Sequence, residues 1–317
     1  MDAPASQLER PSSDAAPLLE LEYVRVDGMQ VRFGHLIPPG AARGTVVVLP
    51  GRAEFIEKYR ETIAALVGWG FAAAILDWRG QGGSDRFLAH HHRGHVVQVE
   101  DYLADLAAVM ARLHRLLLPR PFLMLSHSMG GHIGLRYLHD QRDDFLASVM
   151  SAPMFGIRLA PTPEPVARAL CAAAVRMGAG WRFAPGQRDF DLDRYVFSGN
   201  RLTSCPDRYA GLRRLVAATP EFALGGVTYG WLGAALRSIA LTRRPGYLES
   251  ISTPILVLQA GVERIVSNRA QAATVRRLPN SRLLAFPGAR HELLMERDEI
   301  RDRVLAAFLA FATEVTG

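Results

Sequence analysis

The chain has 317 residues, 49% hydrophobic and 21% charged, a balance that fits a folded globular protein and argues against disordered, fibrous and membrane-spanning classes. No apolar run reaches the ~20 residues that a bilayer-crossing helix needs. Net charge is +6, and Lys58 is the only lysine among 37 basic residues, so arginine carries nearly all the positive charge. Arginine suits phosphates and anionic headgroups. Here the arginines are scattered and accompany no nucleic-acid motif, which argues against a nucleic-acid partner and leaves weak attraction to an anionic membrane surface open.

Residues 1–18 are polar and rich in Ala, Ser and Pro, without the basic head and apolar core of a secretory signal, so they read as a flexible leader. The two cysteines, Cys171 and Cys205, make no disulfide framework and are expected as free thiols in a reducing compartment. The expected location is cytoplasmic, with peripheral contact at the inner face of the membrane as an extension of that reading.

Leu21 to Val26 and Met29 to Ile37 are β-rich runs flanking Asp27-Gly28, a hairpin signature. Thr45 to Leu49 is a short apolar run closed by Pro50-Gly51, as in a buried strand, and helical spacing follows from Glu57 to Trp69. The alternation then repeats. Phe71 to Leu76 is a strand, Val99 to Leu118 a helix, Phe122 to Leu125 a strand, Met129 to His139 a helix and Ser148 to Met150 a strand. Near the end, strands Ile255 to Gln259 and Arg282 to Phe286 are accompanied by helices from about Asn268 to Leu278 and Glu296 to Val315. Such alternation predicts an α/β fold with a mostly parallel sheet, helices on both faces, and the leading hairpin antiparallel at one edge.

Between residues 155 and 248 the rhythm breaks, with five prolines from Pro161 to Pro206 and a helical patch from Val166 to Met177. This reads as a helical lid inserted into a core formed by 19–154 and 249–317, on the side of the sheet where α/β proteins bind ligands. A helical subdomain with no part in the site is the plainer alternative.

The strand Phe122 to Leu125 runs into Ser126-His127-Ser128-Met129-Gly130-Gly131 and a helix starts at once. A sharp strand–turn–helix that exposes a nucleophile needs small residues two positions before and after it. Ser126 and Gly130 satisfy this around Ser128, whereas centring the turn on Ser126 would place Met124 in a crowded position. Ser128 is therefore the candidate nucleophile, and the first helical N–H, that of Met129, points to where an oxyanion would form.

The serine–acid–histidine order of such folds selects the partners. Beyond the helix with His132 and His139, the only later histidine is His291, in the loop after strand Arg282 to Phe286. The loop after Ile255 to Gln259 carries one carboxylate, Glu263, which would orient the base; a salt bridge to its neighbour Arg264 is the alternative. A second oxyanion donor falls on the Arg52 backbone in Pro50-Gly51-Arg52-Ala53-Glu54, with Gly51 allowing close approach to substrate and Glu54 tying the loop down. The turn Asp77 to Ser84 reads as support beside the site. His90, His91, His92 and His95 lack the spacing of a metal site.

These segments resemble the lysophospholipase and monoacylglycerol lipase branch of the α/β-hydrolases: Leu49 to Glu54 is similar to its oxyanion loop, Asp77 to Ser84 to its Arg-Gly turn, and Ser126 to Gly131 to its elbow, with serine at the first small position. His92 to Val96, Ser151 to Gly156 and Gly225 to Trp231 are similar to a bacterial subgroup, the membrane-associated lysophospholipases, as are the loops around Glu263 and His291. The resemblance runs from about Tyr23 to the C-terminus. It implies a cofactor-free serine esterase acting on single-chain lipids, most of all lysophospholipids. The lid aromatics Trp181, Phe183, Phe222, Tyr229 and Trp231 read equally as the lining of an acyl channel, with Tyr229 and Trp231 as substrate-binding residues, and as the lid's own core. The alternatives are a monoacylglycerol lipase, a general carboxylesterase or peptidase of the same fold, and an idle fold used for binding.

Overall fold

The computed structural model describes residues 18–141, 143–159 and 161–317, so all but the last residue of the expected leader lies outside it. The hairpin forms as β1 (Glu20–Val26) and β2 (Met29–Leu36), paired antiparallel from Glu20↔His35 to Val26↔Met29. Its turn residues Asp27 and Gly28 both take positive φ, 50° and 83°, the geometry that matches a tight turn to the twist of its strands. Next come β3 (Thr45–Leu49), a 3-10 turn at Ile56–Tyr59, α1 (Arg60–Gly68), β4 (Ala72–Leu76) and α2 (Glu100–Arg115). They are followed by β5 (Phe122–His127), α3 (Met129–Asp140) and β6 (Ala147–Ser151). The helix expected from Glu57 thus begins as a 3-10 turn, which redirects the chain before α1.

The last third holds β7 (Ile255–Ala260) and β8 (Ser281–Phe286), after three helices between residues 155 and 248: α4 (Glu164–Arg176), α5 (Pro206–Ala218) and α6 (Tyr229–Thr242). α7 (Asn268–Val275) links the two strands and α8 (Asp298–Thr316) closes the chain. The eight strands form one sheet in the order β1-β2-β4-β3-β5-β6-β7-β8. Only the β1–β2 and β2–β4 pairs are antiparallel, so the hairpin is an antiparallel edge on a parallel sheet, as expected.

Strand period two splits the apolar side chains between two cores. Val47 and Leu49 join Leu106 and Met110 of α2 and Ile133 of α3 on one face, while Val46 and Val48 join Ile63 and Leu66 of α1 and Val304 and Phe308 of α8 on the other. The stretch from 155 to 248 is not uniform. Trp231, Ala234 and Ile239 of α6 belong to the first core, so this helix is built into the body of the molecule, whereas α5 packs through Leu212 and Val216 onto Phe55 in a small separate cluster. Two of the three segments that carried the subgroup likeness are neighbours: Gly94 bridges Val227, and the Gly225 N–H donates to the His92 carbonyl at 2.8 Å.

Candidate active site

At the C-terminal end of β5, Ser128 has φ 51° and ψ −112°, a strained backbone for a residue with a side chain. The strain is held by flanking bonds: the Ser128 N–H donates to the Ser151 carbonyl at 3.0 Å, and the Met154 N–H donates to the Ser128 carbonyl at 2.9 Å. Gly130 is required by contact, since a Cβ there would lie 2.2 Å from the Leu49 carbonyl oxygen. That close approach seats α3 against the end of β3. The serine at the first small position of the turn, Ser126, is buried and its hydroxyl has no hydrogen-bond partner among the described residues.

His291 and Glu263 arrive on the loops after β8 and β7. His291 Nδ1 lies 2.7 Å from Glu263 Oε2 and its Nε2 lies 2.9 Å from Ser128 Oγ. A carboxylate only accepts, so Nδ1 carries the proton and Nε2 is left to accept from the serine hydroxyl. Burial alone would raise the Glu263 pKa; the bond and charge of His291 and the Ile265 and Val266 N–H groups outweigh it and hold the carboxyl below its ordinary value. The acid thus faces His291 and not its neighbour Arg264. All three side chains are buried, and Ser128 and His291 open onto a cavity of about 610 Å³.

The Arg52 and Met129 backbone N–H groups beside this cavity donate to no acceptor among the described residues. The loop bearing Arg52 is clamped from outside. Gln81 accepts from the Ala53 N–H at 2.9 Å and donates to the Gly51 carbonyl at 3.1 Å, and Trp78 Nε1 donates to the Pro50 carbonyl at 2.8 Å. Asp77 accepts from the Ile56 N–H at 2.9 Å and from Arg32 Nε at 2.7 Å. The Asp77 to Ser84 turn is thus the buttress of the loop from Pro50 to Ile56.

Gly51 serves a different purpose from the expected one. It is absent from the cavity wall, and a Cβ there would meet Glu54 Oε2 at 2.8 Å and His127 at 2.9 Å. Glu54 does tie the loop, accepting from the Gly51 N–H and from Tyr59 Oη at 2.6 Å. It also belongs to a buried cluster that sequence reading missed: Lys58 Nζ lies 2.5 Å from Glu54 and 2.8 Å from Glu292, the residue after His291. Burial works against the charge of Glu54, yet Lys58 brings its pKa down to about 2. The signal for this cluster was the lone lysine of an arginine-rich chain. Beside it the His127 ring stands 4.8 Å from that of His291, its pKa lowered by burial to about 4.

Of the remaining sequence candidates, Tyr229 and Trp231 line the cavity from the start of α6. Phe55, Met154, Leu170, Leu212 and Val216 extend its apolar wall. His95 bonds Thr228 at 2.9 Å, while His90 and His92 face Asp189. Cys171 and Cys205 are free and buried. No helix among the described residues is long and apolar enough to cross a membrane.

A strained serine at a strand–helix turn, joined to a histidine and an acid on later strand loops of this sheet, places the molecule among the α/β-hydrolases. Residues 40–298 match the family model described as serine aminopeptidase, S33, and the chain belongs to this family. It is similar to lysophospholipase L2 of Escherichia coli K12, 34% identical over 305 residues covering 92% of this chain and 86% of the relative. A probable lysophospholipase L2 of Haemophilus influenzae is 30% identical, over 87% and 86% of the two chains. Among solved structures, a soluble variant of the monoglyceride lipase of Saccharomyces cerevisiae aligns with a TM-score of 0.77 at 17% identity, covering 97% of this chain and 99% of its own, a likeness of fold. Fold and family together make the protein an enzyme, a serine ester hydrolase.

Proposed function

We propose that the enzyme hydrolyses carboxylic esters of single-chain lipids, with lysophospholipids as its main substrates, through an acyl-enzyme on Ser128. The observation that carries the chemistry is the chain of contacts Ser128 Oγ–His291 Nε2–Glu263, 2.9 Å and 2.7 Å, at the wall of an apolar cavity. Ser128 attacks the ester carbonyl as its proton passes to His291 Nε2. The Arg52 and Met129 N–H groups receive the oxyanion, each such donor being worth about 3–4 kcal/mol in related chemistry. His291 returns the proton to the leaving alcohol, and water activated by the same base releases the acyl chain. Glu263 keeps the tautomer and stabilises the imidazolium. These steps ask for no cofactor.

The lipid part of the reading is supported by the relatives named above and by the cavity, whose wall is mostly aliphatic and aromatic and has room for an acyl chain. Residues 155–248 are the proposed lid, with α4 and α5 its outer part and α6 its anchored base. A peptidase acting on a free amino terminus would need a carboxylate for the ammonium group. Glu54 and Glu292, the carboxylates lining this cavity, are both engaged by Lys58.

A fluorophosphonate probe is expected to label the native protein and not Ser128→Ala, and that substitution should lower kcat by ~10³-fold or more. Equal labelling of both proteins would end the assignment. Turnover of lysophospholipids should exceed that of short p-nitrophenyl esters; the reverse order would point to a general carboxylesterase.

A further inference from the structure

Buried arginines of this protein are mostly paired with carboxylates: Arg79 with Asp105 at 2.5 Å, Arg32 with Asp77 at 2.6 Å, Arg136 with Glu100 at 2.8 Å. Arg52 is not. Its guanidinium lies over the Trp231 ring, Cζ 5.5 Å from the centroid, and Nη2 donates to the Gly225 carbonyl. Its Nε is shut off from solvent with no partner among the described residues. Gly94 is kept clear for it, since a Cβ there would lie 2.4 Å from Nη2. Arg86 also lacks a carboxylate, but its side chain donates to the Glu221 carbonyl and does not line the cavity, whereas Arg52 does.

Arg52 is half-buried with its Nε enclosed, and a cation so far withdrawn from water is stabilised by a ligand that supplies the missing anion. Neither carboxylate on its wall pairs with Arg52: Glu54 and Glu292 are both turned to Lys58. The other charged groups on the wall, Arg158, Arg201 and Arg264, are cations as well. Arg52 remains cationic at neutral pH, burial lowering its pKa only to about 10.

Resting on the lysophospholipid reading above, we propose that the Arg52 side chain recognises the headgroup phosphate and makes the enzyme prefer phosphate-bearing over neutral single-chain esters. The backbone of the same residue is the expected oxyanion donor, so the guanidinium sits one side chain's length from the reacting carbonyl. In a lysophospholipid the phosphate is separated from that carbonyl only by the glycerol backbone. A guanidinium can give two parallel N–H bonds to phosphate oxygens. A monoacylglycerol offers a neutral hydroxyl at that place and leaves the buried charge uncompensated.

The test compares kcat/KM on 1-acyl lysophosphatidylglycerol and on 1-monoacylglycerol of the same chain length, for wild type, Arg52→Gln and Arg52→Lys. Arg52→Gln is expected to lower the ratio of the two values at least tenfold, with Arg52→Lys in between. Glycerol 3-phosphate, but not glycerol, should compete with monoacylglycerol in the wild type and lose that effect in Arg52→Gln. Equal losses on both substrates would make Arg52 a mere tether of the Gly225 segment and overturn the inference, as would an unmoved ratio in an enzyme that turns over lysophospholipid. A wild type active on monoacylglycerol and inert on lysophospholipid would instead remove the substrate reading itself, and this inference with it.

Discussion

Two carboxylates near His291 do different work because their surroundings differ. Glu263 touches the imidazole directly, and Glu263→Gln should keep the fold while disturbing the tautomer; the corresponding change in serine proteases lowers kcat by ~10⁴-fold, and steady-state kinetics on a p-nitrophenyl ester would show it. A loss under tenfold would demote Glu263 from its assigned role. Glu54 instead shares Lys58 with Glu292, and the trio is almost wholly enclosed. Lys58→Met would strand two buried carboxylates, a change that costs about 3–5 kcal/mol when one partner of a buried pair is removed. Denaturant melting should show that loss, and the triple change Glu54→Gln/Lys58→Met/Glu292→Gln should recover part of it. If the triple variant is no better than the single one, the cluster's charge is not what stabilises these loops.

The elbow depends on how closely α3 can approach the end of β3. Gly130→Ala would drive a Cβ into the Leu49 and Pro50 carbonyl oxygens, 2.2 and 2.5 Å away, and backbone atoms in a central strand cannot yield. Overpacking of this kind costs about 1–3 kcal/mol or more, so a clear drop in Tm with loss of probe labelling is expected; an unchanged Tm would contradict so close an approach of the two elements. The junction between α3 and α6 rests on His132, whose Nε2 is 2.8 Å from Ser238 Oγ. Burial, with the Arg136 charge beside it, lowers its pKa to about 3. The unfolded chain therefore binds a proton that the folded one refuses between about pH 6.5 and pH 3, and stability must fall as pH drops through that window. His127 acts in the same direction down to about pH 4. Tm measured from pH 7 to pH 4.5 should decline in the wild type and decline less steeply in His132→Gln, whatever that variant loses at pH 7. Parallel curves would mean that His132 is not the titrating group.

At the scale of the molecule, the +6 charge belongs to a chain without a membrane-crossing helix among its described residues. Peripheral attraction to an anionic surface follows as a proposal, and it makes a salt-dependent prediction. Sedimentation with phosphatidylglycerol vesicles at low ionic strength should exceed that with phosphatidylcholine vesicles and vanish in about 0.5 M salt, where screening acts within a few Å. Equal sedimentation with both vesicle types would remove the membrane contact from the reading.

Local and sequential signals were enough for much of this protein. The alternation of strands and helices, the strand–turn–helix around Ser128 and the order Ser128, Glu263, His291 are written along the chain, because each follows from short-range spacing and from the positions of the last histidine and of a lone carboxylate in its loop. Asp27-Gly28 announced the edge hairpin for the same reason. The sequence could not say that Gly51 yields its space to Glu54, that Gln81 and Trp78 hold the loop from Pro50 to Glu54, or that α6 is anchored in the core of the molecule while α5 packs in a separate cluster. Nor could it tell that Lys58 joins the turn after β3 to the loop after β8, or that Arg52 lines the cavity without a counter-ion among the described residues. Those facts depend on residues tens to hundreds of positions apart meeting across a parallel sheet whose crossovers bring distant loops to one end. Only the folded chain decides which charges meet a partner there and which are left to a substrate.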